Sequence, residues 1–170
     1  MRKTRLMTLL RAAFLLSLPI FLLGNQQPLV DKLLEAGKPY DLGLTLLAIA
    51  KVESNLGQVK VNIQDPSCGI TMIHLKFFLY RYKWKDTPLN RNIACQKLID
   101  DPDLAIAETL AILNFWKAKF CTTYGCTSEQ YLKVWGAYNA GYNYASKSGT
   151  AYALKIKSAI RRLKNEYQLR

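Results

Sequence analysis

The chain predicts a single all-helical domain behind an N-terminal export segment. Apolar residues recur at helical spacing almost throughout, and no stretch alternates apolar and polar side chains over a strand's length. The first eleven residues carry Arg2, Lys3, Arg5 and Arg11 and no acid, and residues 12–23 are apolar apart from Ser17 and Pro19. At 170 residues the chain is one domain by length, with enough material to bury an ordinary core.

The elements follow in order. A charged start and a short apolar run read as a secretory signal, because a spanning helix needs about 20 apolar residues. Cleavage near Gly24 leaves a domain over residues 25–170. Leu22 sits where a small residue is preferred, which keeps an uncleaved inner-membrane anchor over residues 1–24 as the alternative. A short helix is expected over residues 28–37. Asp41 then caps a strongly apolar helix that runs to about Ser54. Asp101 and Pro102 open another helix, with a capping side chain followed by a proline in the first turn. It carries Leu104, Ala107, Leu110, Ala111 and Leu113 towards Phe120. Thr127 and Gln130 form a capping box that starts the helix leading to Tyr138. The last helix presents Ala153, Ile156, Ile160, Leu163 and Tyr167 as one apolar stripe. There is no internal repeat and no low-complexity linker.

Cysteines and charge narrow the setting. Cys68, Cys95, Cys121 and Cys126 all lie beyond the export segment, and an even count in an exported chain reads as disulfides. Cys121 and Cys126 flank a short turn between two helical stretches and are paired, which leaves Cys68 for Cys95. The spacing lacks the close cysteine pairs of zinc sites, and buried free thiols are the remaining alternative. The formal charge is +12. Without the four basic residues of the leader, 20 basic residues face 12 acidic ones. Such a surface is drawn to cell-wall polymers, phospholipid headgroups or nucleic acid, and export excludes the last. Much of the excess lies at Lys155, Lys157, Arg161, Arg162, Lys164 and Arg170, which read as a solvated helix face.

Glu53 is the leading catalytic candidate. It follows Ile49 by four residues, Ala50 by three and Leu46 by seven, which places it on an apolar face at a helix C-terminus. Desolvation and the negative end of the helix dipole both raise a carboxyl pKa. A glutamic acid that stays protonated can donate a proton to the leaving oxygen of a glycosidic bond.

Four segments carry a resemblance. Ala48-Ile49-Ala50-Lys51-Val52-Glu53-Ser54 resembles the first motif of the soluble-lytic-transglycosylase domain family, an apolar helix ending in the catalytic Glu and a Ser. Gly69-Ile70-Thr71-Met72-Ile73 is similar to that family's Gly-Leu-Met-Gln-Ile. Asp101-Pro102-Asp103-Leu104-Ala105-Ile106 resembles its Asp-Pro-Glu-Leu-Asn-Ile, and Ala137-Tyr138-Asn139-Ala140-Gly141 matches its Ala-Tyr-Asn-Ala-Gly signature. The similarity runs in order over about residues 41–160. Met72 stands in place of the family's Gln, Ala105 in place of its Asn, and Thr109 and Ile112 in place of a Gly and a Tyr. The stretch over residues 80–100 is also longer. These departures describe a divergent branch, one suited to a dedicated machine that crosses the cell envelope.

The resemblance implies a lysozyme-like fold and cleavage of the MurNAc–GlcNAc bond of peptidoglycan in the periplasm, with no metal or organic cofactor. Glu53 is implied as acid and then base, and Tyr138 as the phenol that hydrogen-bonds its carboxyl. Ser54, Gly69, Thr71, Met72, Asn139 and Gly141 are implied to shape the substrate groove. Three alternatives stand beside this reading. One is a hydrolytic lysozyme in which Asp65 activates water. The second is a catalytically silent glycan-binding assembly subunit, and the third is a membrane-surface protein whose basic last helix binds lipid. The only histidine, His74, reads as a satisfied or surface residue. Trp84, Trp116, Trp135 and Tyr142 could stack on sugar rings, although aromatics at helical spacing are more often core.

Overall fold

A computed structural model describes residues 26–169. The chain divides into two units, residues 1–32 and 33–170. The expected export segment lies outside the described residues. Among the described residues no helix is long and apolar enough to cross a membrane. Seven helices are present there: α1 Gln27–Gly37, α2 Gly43–Ser54, α3 Leu75–Arg81, α4 Pro88–Asp100, α5 Pro102–Phe120, α6 Ser128–Ala140 and α7 Lys147–Glu166. The all-helical expectation therefore holds for this domain.

Two expectations need correction. The sequence showed no strand, yet β1 Val61–Asn62, β2 Ser67–Cys68 and β3 Ile73–His74 form a small antiparallel sheet in that order. Strands of two residues are too short to display an alternating pattern, so nothing in the periodicity announces them. Asp41 does not cap α2. It adopts a left-handed conformation (φ 54°) that closes the 3-10 turn Lys38–Tyr40, and Leu42 occupies the N-cap position with no side-chain bond. The Asp41 carboxylate instead accepts a hydrogen bond from the Tyr131 hydroxyl at 2.6 Å. The reason lies in how tightly the chain reverses there. A Cβ on Gly37 would lie 2.4 Å from the Gly43 nitrogen, and one on Gly43 would lie 2.7 Å from the Leu34 carbonyl oxygen.

Other helix starts fall where the sequence put them. Asp101 Oδ1 accepts from the Leu104 N–H at 3.0 Å, and both bonds of the Thr127–Gln130 capping box are made. Each such cap satisfies an orphan donor of the first turn. Thr87 and Ser146 cap α4 and α7 in the same way.

The core is built around α2, whose Leu46, Leu47, Ala48, Ile49 and Ala50 are fully buried. A helix that is apolar all round belongs at the centre of a domain. The stripe on α7 buries Ala153, Ile156 and Leu163 as expected, and adds Tyr152 and Ala159. Gly136 of α6 lets the two helices meet closely, since a Cβ there would lie 3.2 Å from the Gly149 carbonyl oxygen of α7, and a Cβ at Gly149 would lie 2.3 Å from the Tyr144 carbonyl oxygen of the connecting turn. Gly149→Ala is expected to cost about 1–3 kcal/mol, the usual range for overpacking, in urea unfolding. A change within about 0.5 kcal/mol would show that this contact yields easily.

Both disulfides form with the expected partners. Cys68–Cys95 ties β2 to α4, and Cys121–Cys126 closes the turn between α5 and α6. Among the described residues no cysteine is free, which removes both the zinc and the free-thiol alternatives. Disulfides of this kind indicate an oxidising compartment outside the cytoplasm.

Candidate active site

Glu53 is the penultimate residue of α2, and the backbone immediately after it is unusual. Asn55, Leu56 and Gly57 all lie in the left-handed region, at φ 51°, 59° and 81°. The Leu56 N–H returns to the Ala50 carbonyl at 3.0 Å, a tight closure of the helix end. Ser54 holds this reversal in place: its Oγ donates to the Ile70 carbonyl (2.6 Å) and accepts from the Gly57 N–H (2.8 Å). Ser54 is itself buried.

The segment that faces the helix end is fixed in a similar manner. Gly69 has φ 86°, and a Cβ there would lie 2.8 Å from the Leu98 carbonyl oxygen, so only glycine fits. Thr71 is buried, and its Oγ1 accepts from Thr109 Oγ1 at 2.8 Å. Its carbonyl accepts from the Tyr138 hydroxyl at 2.9 Å. Thr109, which stands at the position of a glycine in the resembled family, is thus a staple between α5 and the Gly69–Met72 turn.

Between these parts lies a cavity of about 300 Å³. Glu53, Met72, Tyr138, Asn139 and Gly141 line it. Ser54, Gly69 and Thr71 do not line it. They are buried, so they frame the groove rather than reach a ligand. The wall is completed by Asp65, His74, Phe77, Ile112 and Trp116. Ile112 and Met72 make part of this wall apolar. His74 Nε2 lies 3.2 Å from Asp65 Oδ1 at the exposed rim.

Glu53 holds its proton more tightly than an ordinary glutamate. Burial is the main cause; Tyr152 and Lys155 pull the other way, and Asp65 adds a small upward push. This is the environment that keeps a carboxylic acid neutral until it is needed. Burial and the nearby Glu53 charge also raise the pKa of Tyr138 above the usual phenol range.

The phenol nearest in role to the carboxyl differs from the expected one. The Tyr138 hydroxyl is committed to the Thr71 carbonyl. The Tyr152 hydroxyl is buried, completes no hydrogen bond of good geometry, and is the phenol whose interaction with Glu53 lowers the carboxyl's pKa. The two rings stack 6.3 Å apart. Sequence reasoning passed over Tyr152, although it sits one turn before Ile156 on the buried stripe of α7 and could have been found there.

The aromatic candidates divide. Trp135 is core, with its indole N–H donated to Thr45 Oγ1 at 3.1 Å, and Trp84 packs edge-on against Phe78 at 6.3 Å. Trp116 lines the cavity, and the exposed Tyr142 meets it edge-on at 5.2 Å with Lys119 Nζ 4.5 Å above its ring. Among the described residues no cluster of His, Cys, Asp and Glu could hold a metal ion.

No protein-family model matches this chain, and neither a curated protein nor a solved structure matches it significantly.

Proposed function

We propose that this protein is a peptidoglycan lytic transglycosylase of the lysozyme-like type, acting in the periplasm, with Glu53 as acid and then base. The observation that carries the reading is a half-buried carboxyl of raised proton affinity in the wall of a cavity, faced by Met72 and by Tyr138, Asn139 and Gly141. These residues come from three of the four segments that resemble the transglycosylase family.

The reaction begins with Glu53 protonated. It gives its proton to the oxygen joining N-acetylmuramic acid to N-acetylglucosamine as that bond breaks. The substrate's own N-acetyl carbonyl steadies the developing positive charge, as in substrate-assisted glycosidases. Glu53, now ionised, accepts the proton of the muramyl primary hydroxyl, whose oxygen closes the 1,6-anhydro ring. No water is consumed and one carboxyl suffices. Tyr152 and Lys155 favour the ionised form while burial opposes it, so the group can both release and take up the proton. Tyr138 fixes the turn that carries Met72. Phe77, which lines the cavity and is 45% exposed, is an aromatic side chain against which a sugar ring can rest.

Asp65 supports a second reading, because it lines the same cavity and its side chain is largely exposed. In a hydrolase it would activate water, and Asp65→Asn would lower turnover by roughly 10²–10⁴-fold. As a transglycosylase the variant is expected to keep most of its turnover. The decisive test is mass spectrometry of products from purified wall sacculi. Anhydro-muramyl ends support the transglycosylase, ordinary reducing ends the hydrolase, and intact sacculi a silent glycan-binding subunit.

A further inference from the structure

Lys155 and Arg162 lie seven residues apart on α7, on the side that also carries buried Ala159 and Leu163. Together with Lys51 of α2 and Glu166 they surround a second cavity of about 290 Å³, floored by Val52 and Ala159. Lys157, Arg161 and Lys164 do not line it. Three cations here face one carboxylate, and among the described residues none of the three makes a salt bridge. Lys155 and Arg162 are exposed and Lys51 is half-buried, so solvent moderates the repulsion among these like charges without removing it. The arrangement therefore favours an anion that brings about two negative charges. Arg162 can grip such a group with a planar fork of donors, while the two lysines act as point charges.

We propose that Lys51, Lys155 and Arg162 form a binding site for a dianionic phosphate group, next to the cavity that contains Glu53. Lys51 and Val52 immediately precede Glu53 on α2, and Lys155 is the cation whose field reaches its carboxyl. Binding at one site therefore changes protonation at the other. A bound dianion cancels the pull of Lys155 and adds negative charge, so Glu53 holds its proton more tightly when the site is filled. By linkage, the anion binds more tightly when Glu53 is protonated. Other groups around Glu53 are Tyr152 on α7, Tyr138 on α6, and Asp65 with its partner His74. The site itself does not require that Glu53 cut glycan. Only the consequence for catalysis rests on the function proposed above.

Calorimetric titration of the full chain with inorganic phosphate, at ionic strength held constant with chloride, tests the site. Saturable one-site binding is expected. Lys155→Gln and Arg162→Gln should each weaken it roughly tenfold, the usual effect of losing one charge-assisted hydrogen bond. Lys157→Gln, outside the cavity, should leave it unchanged. Absence of saturable binding, or equal weakening by Lys157→Gln, overturns the site. A hexose 6-phosphate that binds more tightly than inorganic phosphate would identify the natural ligand as phosphate carried on a polymer or sugar. Equal binding would identify the free ion. Sulfate stays dianionic across the relevant pH range and tests the coupling. It should bind more tightly at pH 5 than at pH 8, and Glu53→Gln should reduce that difference. An unchanged difference in the variant overturns the coupling. None of these readouts involves glycan, so failure here is distinct from failure to cleave sacculi.

Discussion

Glu53→Gln is expected to abolish cleavage of wall sacculi, with turnover falling by about 10³-fold or more, while the folded protein becomes more stable near neutral pH. The first effect follows from chemistry. An amide of nearly the same shape keeps the packing but cannot donate a proton to the leaving oxygen, and general acid–base steps contribute roughly 10²–10⁴-fold. The second follows from proton linkage. Burial raises the folded-state pKa of Glu53 above the ordinary glutamate range, so the folded state binds the proton more tightly than the unfolded chain does. Stability is then lost as the pH rises from the unfolded pKa through the folded one, because the carboxyl must ionise where it is poorly solvated. The variant has no such charge and should escape the loss. Urea unfolding of both proteins at pH 4 and pH 8, alongside product analysis, separates the effects. A variant that is inactive but less stable at pH 8 would mean that the carboxylate is structural. Retained cleavage would remove Glu53 from the mechanism.

Replacing both Cys68 and Cys95 with alanine is expected to destabilise the domain by about 3.5 kcal/mol, the chain-entropy value for a closed loop of this size. The bond spans 27 residues, against five for Cys121–Cys126. The same relation gives about 2 kcal/mol for the shorter loop, so the two double variants should differ in urea midpoint. The larger effect also falls nearer the site. Cys68 belongs to the small sheet, and its neighbour Gly69 begins the turn that carries Met72 to the cavity. Loss of the longer bond should therefore lower cleavage at temperatures where the fold survives, and loss of the shorter one should not. Equal destabilisation by the two pairs would contradict the entropic account.

Local signals were legible in the sequence, and signals that depend on distant partners were not. The capping positions of Asp101 and Thr127 rest on bonds that span three residues, and the sequence displays them directly. The half-burial of Glu53 was legible because helical spacing alone sets its face. Asp41 misled because its true partner, Tyr131, is ninety residues away. Ser54, Gly69 and Thr71 were expected to shape the groove, but a motif marks a position without saying which side of it faces the cleft. Their buried hydrogen bonds and close backbone approaches emerge only when α4, α5 and the loop after α2 are brought together. Tyr152 was hidden for the opposite reason. It reads as one more apolar position on an amphipathic helix, and its unsatisfied hydroxyl has meaning only beside Glu53.

The surroundings of Glu53 are assembled from residues scattered along the chain, from Asp65 before β2 to Tyr152 and Lys155 on α7. Tyr152 and Lys155 arrive with α7, which packs against both α2 and α6. Both side chains temper the proton affinity that burial gives Glu53, which in the unfolded chain is an ordinary, fully hydrated glutamate. The raised proton affinity of this carboxyl is thus a property of the completed fold and not of the helix that carries it.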